Sequence, residues 1–236
     1  MLVTSLSFAY EAPHAVIAPT IDGRADDAAW QAASWYAIDQ LTLGVQPESE
    51  DFSGRFKLVW TEKKLYLLAE ITDDVIIDTH PNPLVNYWDD DTLEVFIDED
   101  KSGGEHRISH NAFAYHVSID NHAIDYSTKD EPAYYTDHIS SAWQRDVQQA
   151  NTVFWEVSFD IYPDTFKDEN NTAIPVTLKA GKEMGFMVAY CDSDNDSDGR
   201  QSFISSKDVP AVDGDKNRGY KDASVFAVLT LVKHAK

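Results

Sequence analysis

The stretch AFAYHVSID, residues 112–120, carries a large apolar side chain at every second position. One face would therefore carry Phe113, Tyr115, Val117 and Ile119. The stretches KLYLLAEIT at 64–72 and VFWEVSFDI at 153–161 alternate in the same way. A period of two is the repeat of a β-strand with one buried face, so we expect a strand at each of the three.

Five more segments are rich in Val, Ile, Phe, Tyr and Trp, which suit a pleated, half-buried surface. They are Arg55–Thr61, Asp91–Asp98, Gly185–Cys191, Gln201–Ser205 and Ser224–Val232. Helical signals are confined to Asp26–Ser34, with Asp26 or Asp27 near the cap, and to one turn at Asp160–Phe166. The pattern predicts an all-β fold: an antiparallel β-sandwich of the jelly-roll or immunoglobulin-like type with one or two short helices.

We find no linker-like stretch and no repeat, so we expect a single domain over residues 1–236, with residues 1–15 an extension or signal remnant. Cys191 is the single cysteine, which excludes an intramolecular disulfide. The loops Thr79–Tyr87, Lys129–His138 and Asp208–Asp222 are long for plain connections and could carry function.

The charge of the chain is strongly negative: 19 Lys and Arg stand against 41 Asp and Glu, a net charge of −22. Such a field repels phosphate backbones and anionic lipid surfaces, so we expect neither a nucleic-acid partner nor a membrane partner. No apolar run reaches the roughly 18 residues of a membrane-spanning helix. At 43% hydrophobic and 12% aromatic, the chain is nevertheless too apolar to be a disordered acidic tail.

Trp88 differs in setting from the other tryptophans considered. Trp30, Trp60 and Trp155 lie on apolar patterns and are interpreted as core, whereas Trp88 stands among polar residues in NYWDDD, residues 86–91. An exposed indole beside carboxylates suits a sugar, whose apolar face stacks on the ring while acids accept its hydroxyls. The alternative is a ring folded back over the end of the sandwich.

Acidic residues offer two further kinds of chemistry. Glu94 and Asp98 share one strand face with Phe96 between them, so a glycoside hydrolase using the two carboxyl groups is a rival hypothesis. In CDSDNDSDGR, residues 191–200, alternate aspartates before Gly199 predict a calcium loop with the ligands Asp192, Asp194, Asp196 and Asp198. A solvated acidic hairpin loop is the alternative, and Ser205 replaces the glutamate of an EF-hand.

Histidines cluster in sequence and could ligate zinc or copper. They are His106, His110, His116 and His122. Their spacing matches no metal motif, so we interpret them as exposed strand residues.

The order of several motifs resembles a family-9 carbohydrate-binding module. The similar segments are IDGRADDAAW (21–30), FKLVW (56–60), LYLLAEITD (65–73), YWDDDTLEVFID (87–98), FWEVSF (154–159), 185–200 and 220–231. This resemblance implies a β-sandwich that holds a sugar terminus between two aromatic rings. It also implies structural calcium.

By this resemblance, Trp88 is the first clamp ring, and Tyr220, in YKDASVF, takes the place of the second clamp tryptophan. Three polar residues would bind hydroxyls: Glu94, Arg107 and Asn217. Glu105 stands where the family has a glutamine.

The resemblance implies a secreted or periplasmic, non-catalytic module that binds glucan or xylan oligo- or polysaccharide, with a larger enzyme or surface complex as partner. Two alternatives stay open beside the hydrolase. One is a haem- or copper-binding redox domain of the same fold class that uses Met187 and the histidines; because Met187 alternates with Phe186 and Val188, we interpret it as core and do not expect haem. The other is a degenerate module that binds no sugar and mediates interactions.

Overall fold

The computed structural model describes residues 9–195 and 199–233. Within these ranges the chain forms fourteen β-strands: β1 (Ala9–Pro13), β2 (Tyr36–Ile38), β3 (Gln40–Gly44), β4 (Phe52–Trp60), β5 (Leu65–Asp73), β6 (Thr92–Asp98), β7 (Phe113–Ser118), β8 (Ala123–Tyr126), β9 (Pro132–Tyr134), β10 (Ile139–Arg145), β11 (Thr152–Phe159), β12 (Glu183–Asp192), β13 (Ser202–Ser205) and β14 (Ala227–Val232).

The strands form two sheets. The large sheet has the order β1-β14-β12-β6-β7-β8-β9, and β13 joins it through β12 and pairs with β3. The small sheet has the order β10-β11-β5-β4-β2. The β1–β14 pair is parallel, and every other pair of described strands is antiparallel. The predicted all-β sandwich is confirmed, with one parallel pair added.

Helical structure in the described ranges consists of the 3₁₀ helices Ala28–Ala32, Thr136–His138 and Ala223–Val225. The first lies within the predicted helix 26–34, and Asp27 occupies its N-cap position. The Asp27 carboxylate accepts from the N–H of Thr20, 2.9 Å away, and caps no helical N–H. Residues 160–166 contain a turn but no helix. No described helix combines the length and the apolar character that crossing a bilayer requires.

All eight predicted strands are present, with ends shifted by short distances. The last begins only at Ala227, because Ala223–Val225 forms a 3₁₀ turn first. Residues 129–138, expected to be a loop, contain β9 and the Thr136–His138 turn. Residues 9–13 form β1 and pair with β14, while residues 1–8 lie outside the described ranges. The expected extension or signal remnant over residues 1–15 stays a prediction.

The principal core lies between the two sheets and contains the predicted alternating residues. Its members include Leu93, Val95, Ile97, Phe113, Tyr115, Val117, Trp60 and Trp155. A second cluster lies on the opposite face of the large sheet, where Phe96 and Met187 pack with Phe203 and Phe226. All seven residues of β6 are therefore buried, and its alternate face lies under loops rather than in solvent. Met187 is core here, as interpreted.

Glu156 anchors the chain before the first 3₁₀ helix to the outer face of the small sheet. Its carboxylate accepts from the backbone N–H of Asp22 at 3.0 Å, that of Gly23 at 2.9 Å and the indole N–H of Trp30 at 2.9 Å. Gly23 has φ +79°, and a Cβ there would lie 2.7 Å from the carbonyl carbon of Trp143. The segment 21–30 is thus held against the small sheet by hydrogen bonds to the buried carboxylate of Glu156.

Replacing Glu156 with Gln should lower the free energy of unfolding by about 1–3 kcal/mol, because the amide NH₂ cannot accept from the donors it would face. Urea denaturation followed by tryptophan fluorescence measures the change. Glu50→Gln, at an exposed position, is the matched control. Equal midpoints for Glu156→Gln and wild type would contradict this role.

Candidate functional site

A cavity of about 280 Å³ opens on the outer face of the large sheet. Its lining comprises Tyr87, Trp88, Glu94, Arg107, His116, Tyr126, Arg200, Asn217 and Tyr220. All five residues that the sequence predicts for a sugar site are in this set. They come from β6 and separate loops, so the fold brings them together from distant parts of the chain.

The floor of the cavity is a cross-strand pair of Glu94 on β6 and His116 on β7. The Nε2 of His116 lies 3.3 Å from Oε2 of Glu94, and both side chains are buried. Burial raises the pKa of Glu94 to about 8, although the nearby Arg200 guanidinium opposes the shift. Burial and the same guanidinium lower the pKa of His116 to about 3. At neutral pH the pair is therefore mostly uncharged, and a neutral carboxyl can both donate to and accept from a hydroxyl.

Arg200 forms part of the wall beside this pair. Its Nη1 donates to the Sγ of Cys191 at 3.2 Å, and its guanidinium carbon lies 4.5 Å from the ring centroid of Phe203. The Nε atom is buried, and no described residue forms a hydrogen bond with it. Burial raises the pKa of the Cys191 thiol to about 11, so the acceptor is a neutral thiol.

Arg107 supplies the second guanidinium. It pairs with the carboxylate of Asp130 at 2.9 Å and lies 4.8 Å from the ring centroid of Tyr126. Its Nε is also buried, with no hydrogen-bond partner in the described part of the chain. Arg107 thus lines the cavity while its charge is paired with the carboxylate of Asp130.

The turn Asn86–Asp89 presents Trp88 to the cavity. Asn86 has φ +53°, and the N–H of Asp89 donates to its carbonyl at 2.7 Å. Tyr87 is buried behind the turn. Its ring centroid lies 5.0 Å from that of Trp88 and 4.6 Å from that of His116, and both contacts are edge-on. Trp88 is half-buried, so one part of the indole is free for a ligand.

Tyr220 and Asn217 reach the cavity on the loop before β14. His106 Nε2 lies 2.7 Å from the carbonyl oxygen of Gly219, and the backbone N–H of His106 donates to the carbonyl of Lys221 at 3.0 Å. A Cβ on Gly219 would lie 2.8 Å from the Phe96 ring, so only glycine lets the loop approach β6 this closely. The position of Tyr220 therefore depends on the packed outer face of the large sheet.

Several expectations need correction. His106, His110 and His116 are buried rather than exposed on strands, with 2%, 4% and 5% exposure, because loops cover this face. Asp98 is buried on the same face as Glu94, but its carboxylate accepts from Gly103 at 2.8 Å and it does not line the cavity. The cavity thus contains only one member of the Glu94–Asp98 acid pair.

Sequence reasoning missed four lining residues: Tyr87, His116 as a ligand-facing group, Tyr126 and Arg200. Tyr87 could have been found as the neighbour of Trp88. Arg200 follows the acidic loop, and no motif around it in the sequence predicts a ligand-binding role. Glu105, at the place of the family's glutamine, is exposed and lies outside the lining.

Carboxylates gather near the end of β12 in two groups of three, each with oxygens within 4.8 Å of one another. The groups are Asp73, Asp91 and Asp192, which are buried, and Asp51, Asp74 and Asp194. Asp192 and Asp194 thus belong to different groups, while Asp196 and Asp198 lie outside the described residues. Burial, and to a smaller extent repulsion by neighbouring carboxylates, raise the pKa of the three buried acids. The Oδ1 atom of Asp194 is buried and has no hydrogen-bond partner within residues 9–195 and 199–233.

Glu94, His116 and Cys191 also have candidate ligand atoms within 4.8 Å of one another. Arg200, however, donates to the Cys191 sulfur, so a cation there would meet a guanidinium at contact distance. Elsewhere, a cavity of about 390 Å³ has Tyr134, Tyr135 and Phe166 in its lining and contains none of the predicted sugar-site residues.

Known proteins similar to this chain include a family of carbohydrate-binding domains. A family model for carbohydrate family 9 binding domain-like proteins matches residues 21–234. Endo-1,4-beta-xylanase A of Thermotoga neapolitana is 25% identical over 215 residues, covering 91% of this chain and 17% of that enzyme. The chain spans between 9% and 18% of the length of four curated enzymes that it matches.

Two solved structures share the fold. They are of a family 9 carbohydrate binding module from Caldicellulosiruptor kristjanssonii, one in complex with cellotriose and one with glucose. The cellotriose complex has a TM-score of 0.69 and 18% identity and covers 97% of this chain and 96% of that chain. The glucose complex has a TM-score of 0.68. At this level of identity, the likeness establishes the sandwich.

Proposed function

The chain belongs to the carbohydrate family 9 binding domain-like family, and we propose that it is a non-catalytic module that binds the end of a glucan or xylan chain, or a small sugar, in the cavity above Glu94. The observation that carries this proposal is the shared lining: Trp88 and Tyr220 border one cavity whose polar groups include Glu94, Arg107 and Asn217.

The chemistry of the lining suits a pyranose. Aromatic rings offer flat apolar surfaces to the C–H faces of a sugar, and the fixed polar groups select hydroxyl positions. The volume of about 280 Å³ lies near the lower limit of ligand cavities, about 300 Å³, which favours a chain end or small sugar over a chain interior.

The relatives suggest the wider setting. They are named xylanases and an exoglucanase, and the modules of similar fold were solved with cellotriose and glucose. We therefore propose glucan or xylan ligands, a larger polysaccharide-degrading enzyme as the covalent or associated partner, and an exported location.

Trp88→Ala and Tyr220→Ala should each weaken binding of cellobiose or xylobiose at least tenfold, about 1.4 kcal/mol, because each removes one stacking surface. Tyr220→Trp should strengthen binding, because the indole face is larger. Isothermal titration calorimetry measures all three.

The matched control is Tyr134→Ala, an exposed tyrosine outside the cavity, which should leave affinity unchanged. Absence of heat with every neutral sugar, or unchanged affinity in the Trp88 variant, would overturn the proposed function and favour an interaction module.

Calcium is the second part of the proposal. Asp73, Asp91 and Asp192 supply hard carboxylate oxygens, the donors that calcium prefers, and the orphaned oxygen of Asp194 fits a second set with Asp51 and Asp74. Three clustered carboxylates repel one another unless a cation or protons compensate them. Bound calcium would supply that compensation; Asp73, Asp91 and Asp192 would link β5 and β12 to the segment before β6 through it.

Chelation with EDTA should lower the Tm, and added calcium should restore it. Calcium at about 100 times its Kd stabilises by about 2.7 kcal/mol, which at about 2–4 °C per kcal/mol shifts the Tm by roughly 5–10 °C. Asp192→Asn should reduce this response, whereas Asp213→Asn, at an exposed position, should not. A melt indifferent to both EDTA and calcium would rule out the cation.

A further inference from the structure

Arg200 differs from most other arginines of the chain in having no carboxylate partner at ion-pair distance among the described residues. In a chain of net charge −22, four other arginines each have a carboxylate partner: Arg24, Arg55, Arg107 and Arg218. Arg145 is exposed to solvent. Arg200 is half-buried, yet in the described part of the chain it makes no ion pair.

Asp89 and Glu94 act on the Arg200 guanidinium from beyond ion-pair distance and, with the Cys191 contact, raise its pKa, but no carboxylate of the described residues pairs with it directly. Its Nη1 donates to the Cys191 sulfur, which is a weak acceptor, and its Nε is buried without a partner among the described residues. Glu94 makes its close contact with His116, at 3.3 Å, rather than with Arg200; burial raises the pKa of this carboxyl, and the Arg200 guanidinium opposes the shift. The guanidinium is therefore charged, and it lines the cavity with donors that no carboxylate of the described residues accepts.

A neutral sugar would accept hydrogen bonds from Arg200 but would not balance its charge. A carboxylate would do both, because its two oxygens match the planar fork of a guanidinium. Arg107 is a weaker competitor for that carboxylate, because Asp130 already pairs with it.

We propose that the preferred ligand of the cavity is a sugar bearing a carboxylate, a uronic acid residue at a chain end, with its carboxylate on the guanidinium of Arg200 and its ring against Trp88 and Tyr220. This inference rests on the proposed sugar-binding function and specifies the ligand class of the same cavity. The hydroxyls of the uronic acid then face Glu94 and Asn217, as those of a neutral sugar would.

Three probes isolate the charge: D-glucuronic acid, its neutral methyl ester and D-glucose, titrated at pH 7 by calorimetry. Wild type should bind glucuronate at least tenfold more tightly than the ester or glucose. Arg200→Gln should remove this preference, Arg200→Lys should keep part of it, and Arg145→Gln should leave it intact. The preference should also shrink as salt rises, because the contact is an ion pair.

Equal affinity of wild type for the three probes would overturn the uronate proposal and leave the sugar-binding function standing. The uronate proposal also fails if Arg200→Gln folds, as judged by its melting curve, and keeps the full preference. Absence of binding to any probe and to cellobiose would overturn both. The ester comparison uses wild type alone, so it decides the matter even if the Arg200 variants do not fold.

Discussion

Burial of β6 on both faces is the constraint on which the rest of the structure depends. One face packs Leu93, Val95 and Ile97 into the core between the sheets, and the other packs Phe96 under loops. Glu94 shares the second face, so an acid is placed where water is scarce. Burying it is tolerable because a small cavity supplies His116 as a partner and leaves room for a ligand's hydroxyls.

The loops that cover this face also build the cavity walls. Gly219 packs on Phe96 and brings Tyr220 to one side, while the turn at Asn86 brings Trp88 to the cavity. Arg200 arrives from the segment between β12 and β13 and lies over Phe203. Stability and recognition are therefore coupled, since the same contacts that exclude water from the outer face of the large sheet fix the positions of the ligand-facing groups.

The sandwich could be predicted because period-two alternation marks any strand with one buried face, as Phe113–Val117 illustrates. Short strands such as Tyr36–Ile38 were missed, since three residues hold too little periodicity. Trp88, Glu94, Arg107, Asn217 and Tyr220 were anticipated from motif order and share one cavity. The role of Arg200 and the grouping of Asp192 with Asp73 and Asp91 depend on long-range pairing, which one sequence does not reveal. The buried histidines were misjudged because alternation identifies two faces but cannot say that loops cover the second.

The most direct test of the central claim is a crystal structure of the protein soaked with cellobiose. We expect one terminal ring bordered by Trp88 and Tyr220, with a hydroxyl at hydrogen-bond distance, about 2.5–3.0 Å, from the Glu94 carboxyl. Cellobiose seated instead in the cavity beside Tyr134 and Phe166, with the space above Glu94 filled only by water, would contradict it.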